Sequence, residues 1–103
     1  MANANARFGT ERERKGLKLL LADGWLAGRT PGSKGAMDLW AMKAGERNRL
    51  VQVKGTAAGA FADFGPEARR RLIEVARQGD ADAWLLWWPR DCQPSWIHED
   101  DWP

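Results

Sequence analysis

Cysteine and histidine are nearly missing from this chain: its 103 residues hold one of each, Cys92 and His98. A single cysteine excludes an intrachain disulfide framework, and so small a Cys/His set excludes a thiolate-rich metal cluster. A free thiol fits a reducing cytosol. His98, lone and late, reads as a structural histidine rather than a catalytic one. No apolar run approaches the ~20 residues that cross a bilayer, and no signal-peptide pattern opens the chain. These absences argue against a membrane protein and lead to the expectation of a cytoplasmic one. Internal repeats and low-complexity segments are also missing.

What is present describes a soluble globular domain, with 44% hydrophobic and 29% charged residues. The length suits one domain with its own core. We expect that domain over residues 9–103, after a short polar, flexible segment at 1–8. The net charge is only +2 but is segregated. Residues 1–77 hold 15 Lys and Arg against 8 Asp and Glu, a net +7; residues 78–103 hold 1 against 6, a net −5. A basic body of this kind suits an anionic partner, nucleic acid above all. Charge alone is equally compatible with a solvated surface.

Local signals predict the order α-β-β-β-α-β-β. Thr10 and Glu13 have capping-box spacing and Gly24 is a stop, so a first helix is expected over 10–23. "WLAGRT", "MDLWAM" and "LVQVK" read as strands, with turns at "PGSKGA" and "KAGERN". "GTAAGAFADFG" reads as irregular and mobile. Pro66 opens a second helix, with Glu67 in its first turn and Gly79 past its end. "AWLLWWP" is a buried strand and "SWIHE" a weak last one. The sum is an α/β domain, a mixed sheet flanked by helices.

Three polar residues then stand out of place. Glu11 and Glu13 lie about 200° apart around the first helix. Glu11 belongs to a surface row with Lys15 and Lys18, whereas Glu13 lies on the apolar line of Gly16, Leu17 and Leu20. An inward acid is costly unless it is paired, caps the helix or binds a metal. Asp38 starts one strand and Lys54 ends the next. Gln52, two residues before Lys54, shares its face of the strand. A hairpin of the two strands brings Asp38 beside that pair. Such oxygens suit a hard cation such as Mg²⁺, with Mn²⁺ able to substitute, which readies a water and offsets charge on a phosphate. Lys54 would orient or help deprotonate the water and stabilise the charged phosphorane.

An acid on the first helix, then Asp38, then Q-x-K about a dozen residues later, resembles the PD-(D/E)XK nuclease superfamily. "GTERERKGLKLLLADGW", "RTPGSKGAMDLWA", "VQVKG", "RRLIEVAR" and "AWLLWW" together are similar, over Gly9 to Trp96, to the archaeal-type Holliday junction resolvase family, which phages also carry. The resemblance implies a restriction-endonuclease-like core. It implies a site of Glu13, Asp38 and Gln52 as metal ligands, with Ser33 near the scissile phosphate and Lys54 as the catalytic lysine. It also implies a homodimer that makes paired nicks in four-way DNA junctions. One position departs from the pattern: Gln52 stands where the family has Glu. An amide oxygen still ligates a metal but removes one negative charge, so weaker metal binding is expected; an inactivating change is the other reading.

Arg12, Arg14, Lys15, Arg29 and Lys34 flank this site in sequence and are candidate phosphate contacts, which position DNA without reading it. Arg69, Arg70 and Arg71 oppose the dipole of the second helix, so they are either DNA contacts or a solvated face. No aromatic platform for single strands interleaves the basic runs. Trp25, Trp40 and Trp84 are expected in the core, and Trp87 and Trp88 on opposite sheet faces. Alternatives to the resolvase are a nuclease for other branched or linear DNA and a catalytically silent DNA-binding module.

Overall fold

The computed structural model describes residues 4–30 and 35–103, with side chains from Arg7 onward. In chain order the elements are α1 (Ala4–Ala22), β1 (Leu26–Arg29), β2 (Leu39–Met42), β3 (Asn48–Lys54), α2 (Pro66–Gln78), β4 (Ala81–Trp87) and β5 (Ser95–His98), and a 3₁₀ turn (Glu99–Asp101) follows. The five strands form one sheet in the order β1-β2-β3-β4-β5. Only β3 and β4 run parallel, from Asn48 opposite Ala81 to Lys54 opposite Trp87. The other neighbours are antiparallel. The expected α/β architecture and element order are therefore present.

Strand alternation divides the apolar residues between two layers. Leu39, Ala41, Val51, Val53 and Leu86 meet Leu20 and Trp25 on the α1 side. Ala81, Ala83 and Leu85 meet Phe64, Leu72 and Ala76 on the α2 side. Trp87 belongs to the second cluster and Trp88 to the first, so the adjacent tryptophans do face opposite ways. Trp25 is buried as expected, while Trp40 and Trp84 are only half-buried. Gly16 lets α1 lie close on the sheet, because a Cβ there would sit 2.7 Å from Leu86 Cδ2 and 3.2 Å from Leu39 Cδ1.

α1 corrects the sequence reading. It starts at Ala4, so Thr10 lies inside the helix and caps nothing, and residues 4–8 are helical turns rather than a free lead-in. The cause is tertiary. The Phe8 ring is wedged so tightly on Gly55 that a Cβ there would lie 2.4 Å from it, and Arg12, one turn on, sits against Phe8 and Trp88. These contacts extend the helix past the local capping signal. α2 follows its signals closely, with Gly65 before it, Pro66 at its first position and Gly79 at its end. The 55–65 segment is irregular but anchored. Trp87 Nε1 donates to Thr56 O at 2.7 Å, and Phe64 is buried with its ring edge-to-face on Trp102 at 5.0 Å.

Candidate active site

β3 ends in Lys54, and the chain leaves the sheet through Gly55 and Thr56. At that end an open cleft of ≈ 660 Å³ forms between the start of α1, Asp38, β3 and the turn after β4. Glu13, Asp38, Gln52 and Lys54 all line it. Each arrives by a different local rule. Val51 and Val53 are buried under α1, so Gln52 and Lys54 take the other face of β3. Asp38 precedes β2 yet is held from both sides: its N–H donates to Val51 O at 2.8 Å and its carbonyl accepts from Thr30 N at 2.8 Å. Glu13 comes from α1, one turn before the tightly seated Gly16.

Asp38 is the electrostatic centre. Its Oδ2 accepts from the Val53 backbone N–H at 2.8 Å and from Gln52 Nε2 at 2.9 Å. Burial raises its pKa to about 6; the Val53 N–H lowers it, Glu13 raises it further, and Lys54 and Arg29 lower it. A carboxyl with this preference for its neutral form has unmet need for a cation. Glu13 is largely buried, at 20% side-chain exposure, and its Oε1 accepts from Arg29 Nε at 2.8 Å. The inward acid therefore exists, and it is not a cap. Two carboxylates and the Gln52 amide carbonyl form an all-oxygen set that fits a hard divalent cation.

The predicted DNA contacts divide. Arg14, Arg70 and Arg71 are exposed. Lys15 is exposed and bridges to Glu11 at 3.1 Å, the surface pair that the helical spacing implied. Arg29 is committed to Glu13. Arg69 is half-buried and donates to Phe64 O at 2.6 Å. Arg12 is not a surface residue: it is 7% exposed, with its guanidinium 4.5 Å from the Phe8 centroid and 5.2 Å from that of Trp88. Its place one turn after Phe8 turns the guanidinium under the aromatic rings, so it is not the phosphate contact that its sequence position suggests. Ser33 and Lys34 lie outside the described residues.

Phe8, Asp63 and Arg90 also line the cleft and were not anticipated. They come from a helix start, a loop and a turn, which carry no periodicity. Among the described residues, a separate group of potential ligand atoms, from Asp82, His98 and Glu99, lies within 4.8 Å of one another. Arg47 binds Asp82 at 2.9 Å, Arg77 pairs with Glu99, and the Ala83 N–H donates to Glu99 at 2.6 Å. These partners satisfy the group as a structural cluster joining β4 to β5, with His98 in the structural role expected of it.

The sequence matches the model of the family described as archaeal Holliday junction resolvase (Hjc) over residues 4–101. No curated protein matches it. Among solved structures it is similar to Hjc of Archaeoglobus fulgidus, described as a Holliday junction resolvase from an archaeal hyperthermophile. The TM-score is 0.72 at 21% identity, covering 89% of this chain and 73% of that one. That likeness is one of fold.

Proposed function

Because the chain belongs to the archaeal Holliday junction resolvase (Hjc) family, we propose that it is a Mg²⁺-dependent endonuclease that resolves four-way DNA junctions as a homodimer. The observation that carries this reading is the meeting of Glu13, Asp38, Gln52 and Lys54 in one open cleft. Two such nuclease domains, each beginning with α1 at Ala4 rather than at residue 9, would work as a pair. A junction of near two-fold symmetry needs two opposed nicks, and a two-fold dimer supplies two sites at fixed spacing.

Glu13, Asp38 and Gln52 would hold the cation, which would supply charge neutralisation at the phosphate and a more acidic water. The protein's own groups do the rest. The Val53 N–H fixes the Asp38 carboxylate in place. Lys54, at the end of β3, would orient the attacking water and hold negative charge on the phosphorus oxygens. Arg29, bonded to Glu13 Oε1, would keep that carboxylate aimed inward. Ser33 would lie near the scissile phosphate. Exposed Arg14, Lys15, Arg70 and Arg71, with Lys34, would steer the DNA backbone. No helix among the described residues is long and apolar enough to cross a membrane. A DNA substrate and the exposed free Cys92 support a cytoplasmic site of action.

Incubating labelled four-way junction, duplex and single strand with the protein and Mg²⁺ tests the proposal. Symmetric nicks in the junction alone are expected. Cutting of duplex or flapped DNA instead would assign a broader nuclease. Junction binding without turnover in either Mg²⁺ or Mn²⁺ would assign a silent binding module, with Gln52 as its cause.

A further inference from the structure

We infer that Arg90, set against the Phe8 ring at the mouth of the cleft, grips a backbone phosphate of the strand being cut. The inference rests on the nuclease reading of that cleft and adds a binding residue to it.

Three observations on Arg90 carry the inference. It is exposed and lines the cleft. Among the described residues it forms no ion pair, whereas Arg29, Arg47 and Arg77 are each committed to acids. Its guanidinium lies 4.2 Å from the Phe8 centroid. A guanidinium laid on an aromatic ring keeps its in-plane N–H donors free, and these match two phosphate oxygens. The ring also restricts a long side chain before DNA arrives, which lowers the entropy lost on binding.

The support beneath Arg90 is built from the active strand itself. Trp88 N donates to Lys54 O at 2.8 Å, so the chain entering the turn is fixed to the backbone of the catalytic lysine. Pro89 is buried. Trp88 Nε1 donates to Cys92 O at 2.9 Å, and Cys92 N donates to Pro89 O at 3.3 Å, closing the turn that presents Arg90. On the other side, Phe8 is wedged on Gly55, the residue after Lys54. Arg12 lies buried against Phe8 and Trp88 with its Nε unpartnered. It is too enclosed to meet DNA, and its place is to brace the ring. Arg90 is thus referenced to Lys54 through both of its neighbours, which suits a phosphate beside the scissile one.

The test measures junction affinity in Ca²⁺, so that DNA stays intact, over a range of KCl for the parent, Arg90→Ala, Arg90→Lys and Phe8→Leu. Arg90→Ala should weaken binding about tenfold and make the log K against log salt slope shallower by about one. Arg90→Lys should keep the slope and lose part of the affinity. Phe8→Leu keeps an apolar wedge on Gly55 and removes the ring, so it should weaken binding at unchanged slope. Neutral methylphosphonates placed singly around the cut site provide the second measurement. One adjacent position should weaken the parent and not weaken Arg90→Ala further. If the two losses add at every position, or Arg90→Ala binds as the parent does, the grip is wrong. If Arg90→Ala lowers thermal stability alone, Arg90 is structural and the grip is again wrong. If the parent neither binds nor cuts DNA, the nuclease reading fails and the grip falls with it.

Discussion

Gln52 Nε2 donates a hydrogen bond to Asp38 Oδ2 at 2.9 Å. Where the family places a carboxylate, this chain places an amide, and the amide turns a repulsive contact into an attractive one. Without metal, two carboxylates this close in a half-buried cleft would disfavour each other's ionisation. The amide instead donates to the acid and leaves its own carbonyl for a cation. If the cleft holds a cation as proposed, the amide would trade metal affinity for a settled metal-free site.

The first prediction tests that trade. Gln52→Glu should cut junctions and reach half-maximal rate at a Mg²⁺ concentration about tenfold or more lower, since a third carboxylate strengthens the attraction for a dication. The same variant should be less stable than the parent in EDTA. Gln52→Ala should lose most activity. A Mg²⁺ titration of rate for the three proteins decides it; identical metal dependence of parent and Gln52→Glu would remove Gln52 from the site. Rescue of a dead parent by Gln52→Glu would make the amide an inactivating change.

Asp38 should make the metal-free protein sensitive to pH. Its pKa is about 6 in the fold against 3.8 outside it. The folded state therefore binds the proton more tightly, and stability falls as pH rises through that window. Asp38→Asn should remove this dependence. It should stabilise the metal-free protein at pH 7 by an amount of the order of 2–3 kcal/mol, following from roughly two pKa units. It should also abolish cleavage while keeping junction binding. Thermal unfolding in EDTA from pH 4 to 7 checks the first part. In the parent, the acid limb of the rate profile should move to lower pH as Mg²⁺ rises, because the cation competes with the proton.

Glu13→Gln should depress cleavage far more than Glu11→Gln. Glu13 lines the cleft and is bonded to Arg29, whereas Glu11 is exposed and paired only to Lys15. A neutral amide at 13 would weaken the proposed ligand set and the pairing with Arg29; at 11 it removes only an exposed surface pair, a kind that contributes little. Single-turnover rates at saturating Mg²⁺ provide the comparison, and equal losses would break the assignment of Glu13.

What could be read in the sequence was whatever depends on spacing. The helical face singled out Glu13, strand alternation put Gln52 with Lys54, and Pro66 and Gly79 bounded α2 to the residue. What could not be read depends on contacts between distant segments. Thr10 and Glu13 imitate a capping box, yet Phe8 wedged on Gly55 carries α1 back to Ala4. Arg12 has the sequence context of a surface cation, but two rings from α1 and β4's end enclose it. β4 begins at Ala81, earlier than its apolar run, because Arg47 and His98 hold Asp82 within the strand. Arg90 sits in a turn whose closeness to Lys54 exists only once β3 and β4 pair.

The arginines of α2 give the last prediction. β3 and β4 are parallel, so α2 must begin at the end of the sheet where β3 finishes in Lys54. Asp63, three residues before Pro66, already lines the cleft. Arg69, Arg70 and Arg71 are therefore on the cleft's side of the domain, but they are not equivalent. Arg69 donates to Phe64 O and lies 5.6 Å from the Phe61 centroid, so it fastens the 55–65 segment. Arg70 and Arg71 are exposed, and among the described residues neither forms an ion pair; Arg77, further along the same row, pairs with Glu99. Changing Arg70 and Arg71 together to Ala should make the salt slope of junction binding shallower by up to about two, since each phosphate contact contributes roughly 0.9. Arg69→Ala should instead cost about 1 kcal/mol of stability, the worth of one hydrogen bond to a largely buried carbonyl, and change the slope little. Affinity measured across KCl, beside thermal unfolding, separates the two effects. An unchanged slope in the double variant would mean that α2 does not touch DNA and that its arginines are a solvated face.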